Sequence, residues 1–145
     1  MQDFIKPKGV VSVTLLDKDG NVKDQRTFNN LVVAAGNTFI AARITGTGVG
    51  VMSHLAVGSD NTPATSSDNA LGSEIARVAV TSATSAGGAV TYTTTFSAGV
   101  GTGTLQEAGL FNQNSGGTML ARTVFSTITK GASDIMNISW TITVG

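Results

Sequence analysis

The stretch "TLQEAGLFNQNSGGTMLART", Thr104–Thr123, decides how this chain is read. Two apolar-rich segments flank "NQNSGG", a run of turn-forming residues, which is the pattern of a β-hairpin. Glu107 and Arg122 are the only charges between Arg77 and Lys130. If Phe111 pairs with Thr118, Glu107 falls directly opposite Arg122, with Cβ atoms about 5 Å apart. Leu105, Leu110 and Phe111 surround the acid, and Leu120, Val124 and Phe125 surround the base. The expectation is a shielded structural ion pair that sets the hairpin register. A one-residue slip would separate the charges and reverse both faces. Removing one partner of a shielded pair costs about 3–5 kcal/mol, against about 0–1 kcal/mol for an exposed one. A catalytic role for Glu107 is disfavoured, because no second carboxylate or histidine lies near it in sequence.

The same grammar extends outward. "GVVSVTLLDKDGNVKDQRTF" reads as a hairpin, with Val11, Val13 and Leu15 alternating against Val10, Ser12, Thr14 and Leu16. "NNLVVAAGNTFIAARI" reads as a helix capped by Asn29 or Asn30, with Leu31, Ala34, Ala35, Phe39 and Ala42 on one stripe. Gly36 counts against the helix, and Val32 and Val33 suit a strand equally well. "VMSHLAVG" is a short strand, Ser59 to Ser73 a long loop, and "EIARVAVTSATS" one further strand ending at the "AGGA" turn. In "VTYTTTF", Val90, Tyr92, Thr94 and Phe96 share a face; in the last strand Ile138, Trp140, Ile142 and Val144 form an inward row. The sum is a mainly β chain: an antiparallel two-sheet sandwich or jelly roll with about eight strands and one short helix. Residues 1–9 are expected to be an arm or a lead-in to the first strand, and residues 10–145 a single β-sandwich domain.

Composition limits the function. The chain has 145 residues, 41% hydrophobic, 12% charged, with zero formal net charge and no cysteine. Disulfides and thiolate chemistry are out. A neutral chain lacks the broad electrostatic surface that nucleic acid or an anionic membrane requires. Nine of the eighteen charged residues lie between Asp3 and Arg26, so the later surface is built from Thr, Ser, Asn, Gly and Ala. Such a surface suits lasting contact with neighbouring chains, whose interface centres are poor in charge. "MQDFIKPKG" lacks a signal-peptide layout, and no apolar run is long enough to span a membrane, so synthesis in a cytoplasm is expected.

Candidate chemistry is sparse. "DKDGN", Asp17 to Asn21, imitates the start of a calcium loop, but the twelfth position is Phe28 rather than Glu, and a hairpin turn is the better reading. His54, the single histidine, has neither a G-x-S-x-G elbow nor a histidine cluster and reads as hydrogen-bonded or interfacial. Arg77 and Glu74 suggest a local polar contact. No cofactor, metal or small-molecule substrate is expected, and the chain reads as a non-enzyme. The arm residues Phe4, Ile5, Lys6, Pro7 and Lys8 combine apolar anchors with basic groups and suit contact with a partner.

The segments "KPKGVVSVTLLDKDGNV", "NNLVVAAGNTFIAARI", "MSHLAVGSDNTPATSSDNALGSEIAR" and "TLQEAGLFNQNSGGTMLARTVFSTITKGASDIMNISWTITV" occur in an order that resembles small tailed-bacteriophage virion proteins. Within that group the chain looks most like a head decoration, or cement, protein. The resemblance implies a jelly-roll homotrimer on the outer capsid surface that holds neighbouring major-capsid subunits together. It implies no catalytic residue. The alternative is a tail-fibre, baseplate or head-fibre component that contacts the host.

Overall fold

The computed structural model describes residues 6–48 and 50–145. It contains two antiparallel sheets of five strands each and one helix. The first sheet is built from β1 (Lys8–Leu16), β2 (Val22–Asn29), β6 (Ser82–Ala86), β7 (Ala89–Phe96) and β10 (Ile135–Thr143), in the order β2-β1-β10-β7-β6. The second uses β3 (Leu31–Val32), β4 (His54–Gly58), β5 (Glu74–Ala79), β8 (Gly103–Phe111) and β9 (Met119–Lys130), in the order β3-β9-β8-β4-β5. The helix α1 spans Ala34–Ile44.

Alternation along the strands makes the core. Val11, Val13 and Leu15 of β1, Tyr92 and Phe96 of β7, and Met136, Ile138, Trp140 and Ile142 of β10 face inward. Leu55, Val57, Leu105, Ala108, Leu110, Leu120 and Ile128 meet them from the second sheet. Trp140 is fully buried, and its indole N–H donates to Asn30 Oδ1 at 3.2 Å, the partner that a buried indole needs. Gly9 makes room for that amide, since a Cβ there would lie 1.6 Å from Asn30 Oδ1.

Several expectations change. Among the described residues there are ten strands rather than about eight. One addition is β3, the two residues between Asn30 and the helix. The other arises because "EIARVAVTSATS" is two strands in two sheets. The Val80 N–H donates to Ser53 O at 2.9 Å, and the next N–H, that of Thr81, donates to Thr93 O at 2.8 Å. The chain therefore changes sheets between two adjacent residues, and continuous β propensity gives no sign of it. The strand β1 begins at Lys8, two residues before the expected domain start.

The helix is shorter than expected and is not capped by asparagine. Its N-cap is Val33, without a side-chain cap; Asn29 ends β2 and Asn30 serves the indole. Leu31 belongs to β3 and Ala34 is exposed, but Ala35 and Phe39 of the expected stripe pack against the core, joined by the buried Gly36 and by Ile40. A Cβ on Gly36 would stand 2.1 Å from Leu120 O. The glycine that weakens the helix as a sequence is what lets it rest on β9.

Candidate functional site

The outer face of the second sheet carries a built polar centre. Glu107 on β8 and Arg122 on β9 both lie there, 0% and 2% exposed. They are not directly opposed: Glu107 pairs with Val124 and Arg122 with Gly109. Phe111 pairs with Met119 rather than Thr118, and the register shift at Leu110/Phe111 adds a second position, so at both charges the strands are offset by two from the expected alignment. An offset of two keeps both side chains on one face, and diagonal neighbours remain within reach of long side chains. Arg122 Nε and Nη2 donate to Glu107 Oε1 at 3.2 and 3.1 Å.

The pair holds more than a hairpin. Glu107 also accepts the backbone N–H groups of Asp60, Gly72 and Ser73 at 3.0, 2.9 and 2.8 Å. Arg122 Nη1 reaches Thr62 O at 3.0 Å and Asp68 Oδ2 at 3.1 Å, and Nη2 reaches Asp60 Oδ2 at 3.4 Å. Each guanidinium nitrogen thus has an acceptor, as a buried arginine requires. The loop from Ser59 to Ser73 is tied to the sheet at both ends and in its middle. Two small residues permit this approach: a Cβ on Gly58 would be 2.3 Å from Ser73 O, and one on Gly72 would be 1.9 Å from Asp60 Oδ2. Beneath the loop, Leu71 packs with Val33, Ala56, Phe111 and Met119 in a second apolar cluster. Burial pushes the Asp68 carboxyl up, but Thr65, through its N–H and hydroxyl, and the Arg122 charge outweigh this and hold it below 3.8.

Arg77 organises the neighbouring tip. It pairs with Glu74 at 2.6 Å, lies 3.7 Å over the Phe111 ring, and donates to the carbonyls of Gln113 and Gly116 at 3.0 and 2.8 Å. The expected contact with Glu74 is one part of a clamp on the "NQNSGG" turn. On the same face, His54 Nδ1 is 2.8 Å from Ser53 Oγ. A third polar centre joins the far ends of the sheets. Lys130 is buried and donates to Ser97 O, and Asp134 accepts from Lys23 at 2.8 Å and from the Gly131 N–H at 2.7 Å. The Lys23 hydrogen bond, then the Gly131 N–H, hold Asp134 below its ordinary value, and burial lowers Lys130.

"DKDGN" is a tight turn. Asp17 Oδ1 accepts the N–H groups of Asp19 and Asn21, both at 2.9 Å, and Gly20 takes φ 85°. Among the described residues no group of three acidic or histidine side chains could hold a metal ion. No helix among them is long and apolar enough to cross a membrane. Of the expected contact arm, Phe4 and Ile5 lie outside the described residues. Lys6, Pro7 and Lys8 line a pocket with Asn29, Asn30, Leu31 and Asn37.

The first sheet presents an outer face of another kind. Its central rows are Thr27–Ser12–Ser139–Thr93–Ser82 and Asn29–Val10–Thr141–Thr91–Thr84. Hydroxyls pair sideways across the strands: Ser12 with Thr27 at 3.2 Å, Thr91 with Thr141 at 3.0 Å, and Ser82 with Thr93. Lys8 lies at one end of this face, and Lys23 follows Gln25 and Thr27 in alternation along its β2 edge. The long uncharged stretches of sequence signalled such a surface, but the strand order that gathers them was not readable. No protein-family model, curated protein or solved structure matches this chain.

Proposed function

We propose that the protein is a non-enzymatic structural component of a bacteriophage virion, a decoration or cement protein that binds the outer capsid and stabilises the head lattice. The observation that carries this reading is the charge-poor outer face of the first sheet. Covering a charged face strips water from ions at a cost of several kcal/mol each. Covering hydroxyls that already bond to one another costs far less. A face of this kind suits permanent contact with a neighbouring chain. The sequence resemblance supplies the partner, the major capsid protein, and the jelly-roll homotrimer as the assembled form. Stabilisation would follow mass action, since a protein that binds only the assembled lattice favours it, and a trimer adds multivalency.

The pinned Ser59–Ser73 loop and the segment Phe4 to Lys8 are further contact surfaces in this reading. Deletion of Met1 to Pro7, which leaves β1 intact, weakens capsid attachment while the domain still folds; unchanged attachment removes the arm from the interface. Quantitative mass spectrometry of purified particles tests the function itself. Copies comparable with the major capsid protein support a head-wide coat. A handful per particle places the chain in a tail fibre, baseplate or head fibre. Trp140 and Tyr92, 0% and 8% exposed, offer no aromatic platform for sugar, so that outcome would favour a protein receptor on the host.

A further inference from the structure

The four sheet edges of this molecule are not treated alike. An open strand edge invites pairing with another chain, and proteins block it with charge, proline, bulges or shortness. The edge strand β2 carries Lys23, Asp24 and Arg26, and its register with β1 shifts at Leu15/Leu16. The edge strand β5 carries the Glu74–Arg77 ion pair, and its register with β4 shifts at Val57/Gly58. The edge strand β3 is two residues long. By contrast β6, "SATSA", has none of these guards. It pairs with β7 without a shift, and all five of its residues are exposed. Such a strand buries little apolar surface of its own and gains most from a second pairing partner.

We propose that β6 is a pairing edge for β6 of a second copy of this chain, joined antiparallel about a two-fold axis at Thr84. In that arrangement Thr84 faces Thr84 of the second copy, Ala83 faces Ser85, and Ser82 faces Ala86. A two-fold contact sets a residue on the axis against its own copy, so a charge there would meet a like charge; this strand has none. Its small side chains allow close approach, and opposed threonines pair favourably across strands. Thr84 ends the outer-face row Thr141–Thr91–Thr84, and the seam continues that row into Thr84 of the second copy. Five residues a side bury less than the roughly 1,000 Å² of a lasting dimer, so the seam is weak and forms where copies are concentrated. This inference does not depend on the virion reading.

The chain contains no cysteine, so single-cysteine variants report the register directly. Opposed Cα atoms in an antiparallel pair are about 4.5–5.5 Å apart, within disulfide range. At high protein concentration under mild oxidation, Thr84→Cys forms a disulfide-linked dimer. Ser82→Cys and Ala86→Cys alone do not, and an equal mixture of the two does. Equal crosslinking of all three single variants would mean random collision and overturn the seam, as would absence of crosslinking in folded Thr84→Cys. Sedimentation equilibrium provides a second reading. The average mass of the unmodified chain rises more steeply with concentration than that of Thr84→Lys; identical curves overturn the proposal.

Discussion

The two sheets of this sandwich carry opposite kinds of outer surface. The second gathers charge and then covers it: Glu107, Arg122, Asp60 and Asp68 sit beneath or within a loop layer that they themselves hold down. The first is left uncovered, and its hydroxyls bond sideways. The difference teaches where this chain uses its few charges. The four at this centre are placed where an irregular loop has backbone groups that need partners. A loop without strands must send its N–H groups somewhere, and one carboxylate satisfies three of them here.

The comparison is broken most severely at Arg122. Arg122→Met leaves Glu107 buried without its counter-ion and is expected to cost about 3–5 kcal/mol, read as a lower urea midpoint. Adding Glu107→Leu should not restore the loss, because the N–H groups of Asp60, Gly72 and Ser73 then have no acceptor. Full recovery in the double variant would show that the pair acts on the hairpin alone. Gly58→Ala is smaller. The added Cβ meets Ser73 O and Glu107 Oε2, so the loop must lift, at about 1–3 kcal/mol, with faster amide exchange at Gly72 and Ser73.

Acid sharpens the same contrast. Asp68 and Asp134 are held below 3.8 in the folded chain. Their contribution is therefore complete above the unfolded value and is lost as pH falls through the folded values, so urea midpoints should drop below about pH 4. Asp134→Asn should flatten part of that drop; an unchanged profile would remove Asp134 from the acid response. The smallest effect belongs to the open face. Thr141→Lys should change stability by no more than about 0.5 kcal/mol, since it breaks one lateral hydroxyl contact at a partly exposed site. In the proposed function the same substitution weakens attachment to particles, and intact attachment would take this face out of the interface.

Much of the strand pattern was readable because period-two alternation is a local property. The inward rows of β1, β7 and β10 follow directly from "VSVTL", "VTYTTTF" and "ISWTI", although Val144, expected to close the last row, lies past the end of β10 and is only half-buried. The helix was readable in place and at its C-terminal end, Ile44, but not at its start. Asn30 looks like a cap to any local rule, yet its amide is drawn to the indole of a residue 110 positions away. The switch of sheets at Val80–Thr81 left no mark in propensity, because both halves remain extended. Of the polar centre, the two charges stood out by isolation in sequence, but their five loop partners, Asp60, Thr62, Asp68, Gly72 and Ser73, did not. Asp60 and Asp68 are ordinary turn residues until the loop folds back over β8 and β9.

The sequence by itself determined that the chain is mainly β, that its faces alternate, that a turn lies between Phe111 and Met119, and that two lone charges flank it. These follow from steric preference and burial acting over a few residues. Only the tertiary structure decided the strand order, the two-residue offset between Glu107 and Arg122, the covering of one sheet and the bareness of the other. Those depend on bulges and on side chains meeting backbone groups across 34 to 60 positions, where a carboxylate can choose among many N–H groups. Alternation tells a residue which side to face. What it will find there is set by which strand, loop or second chain arrives.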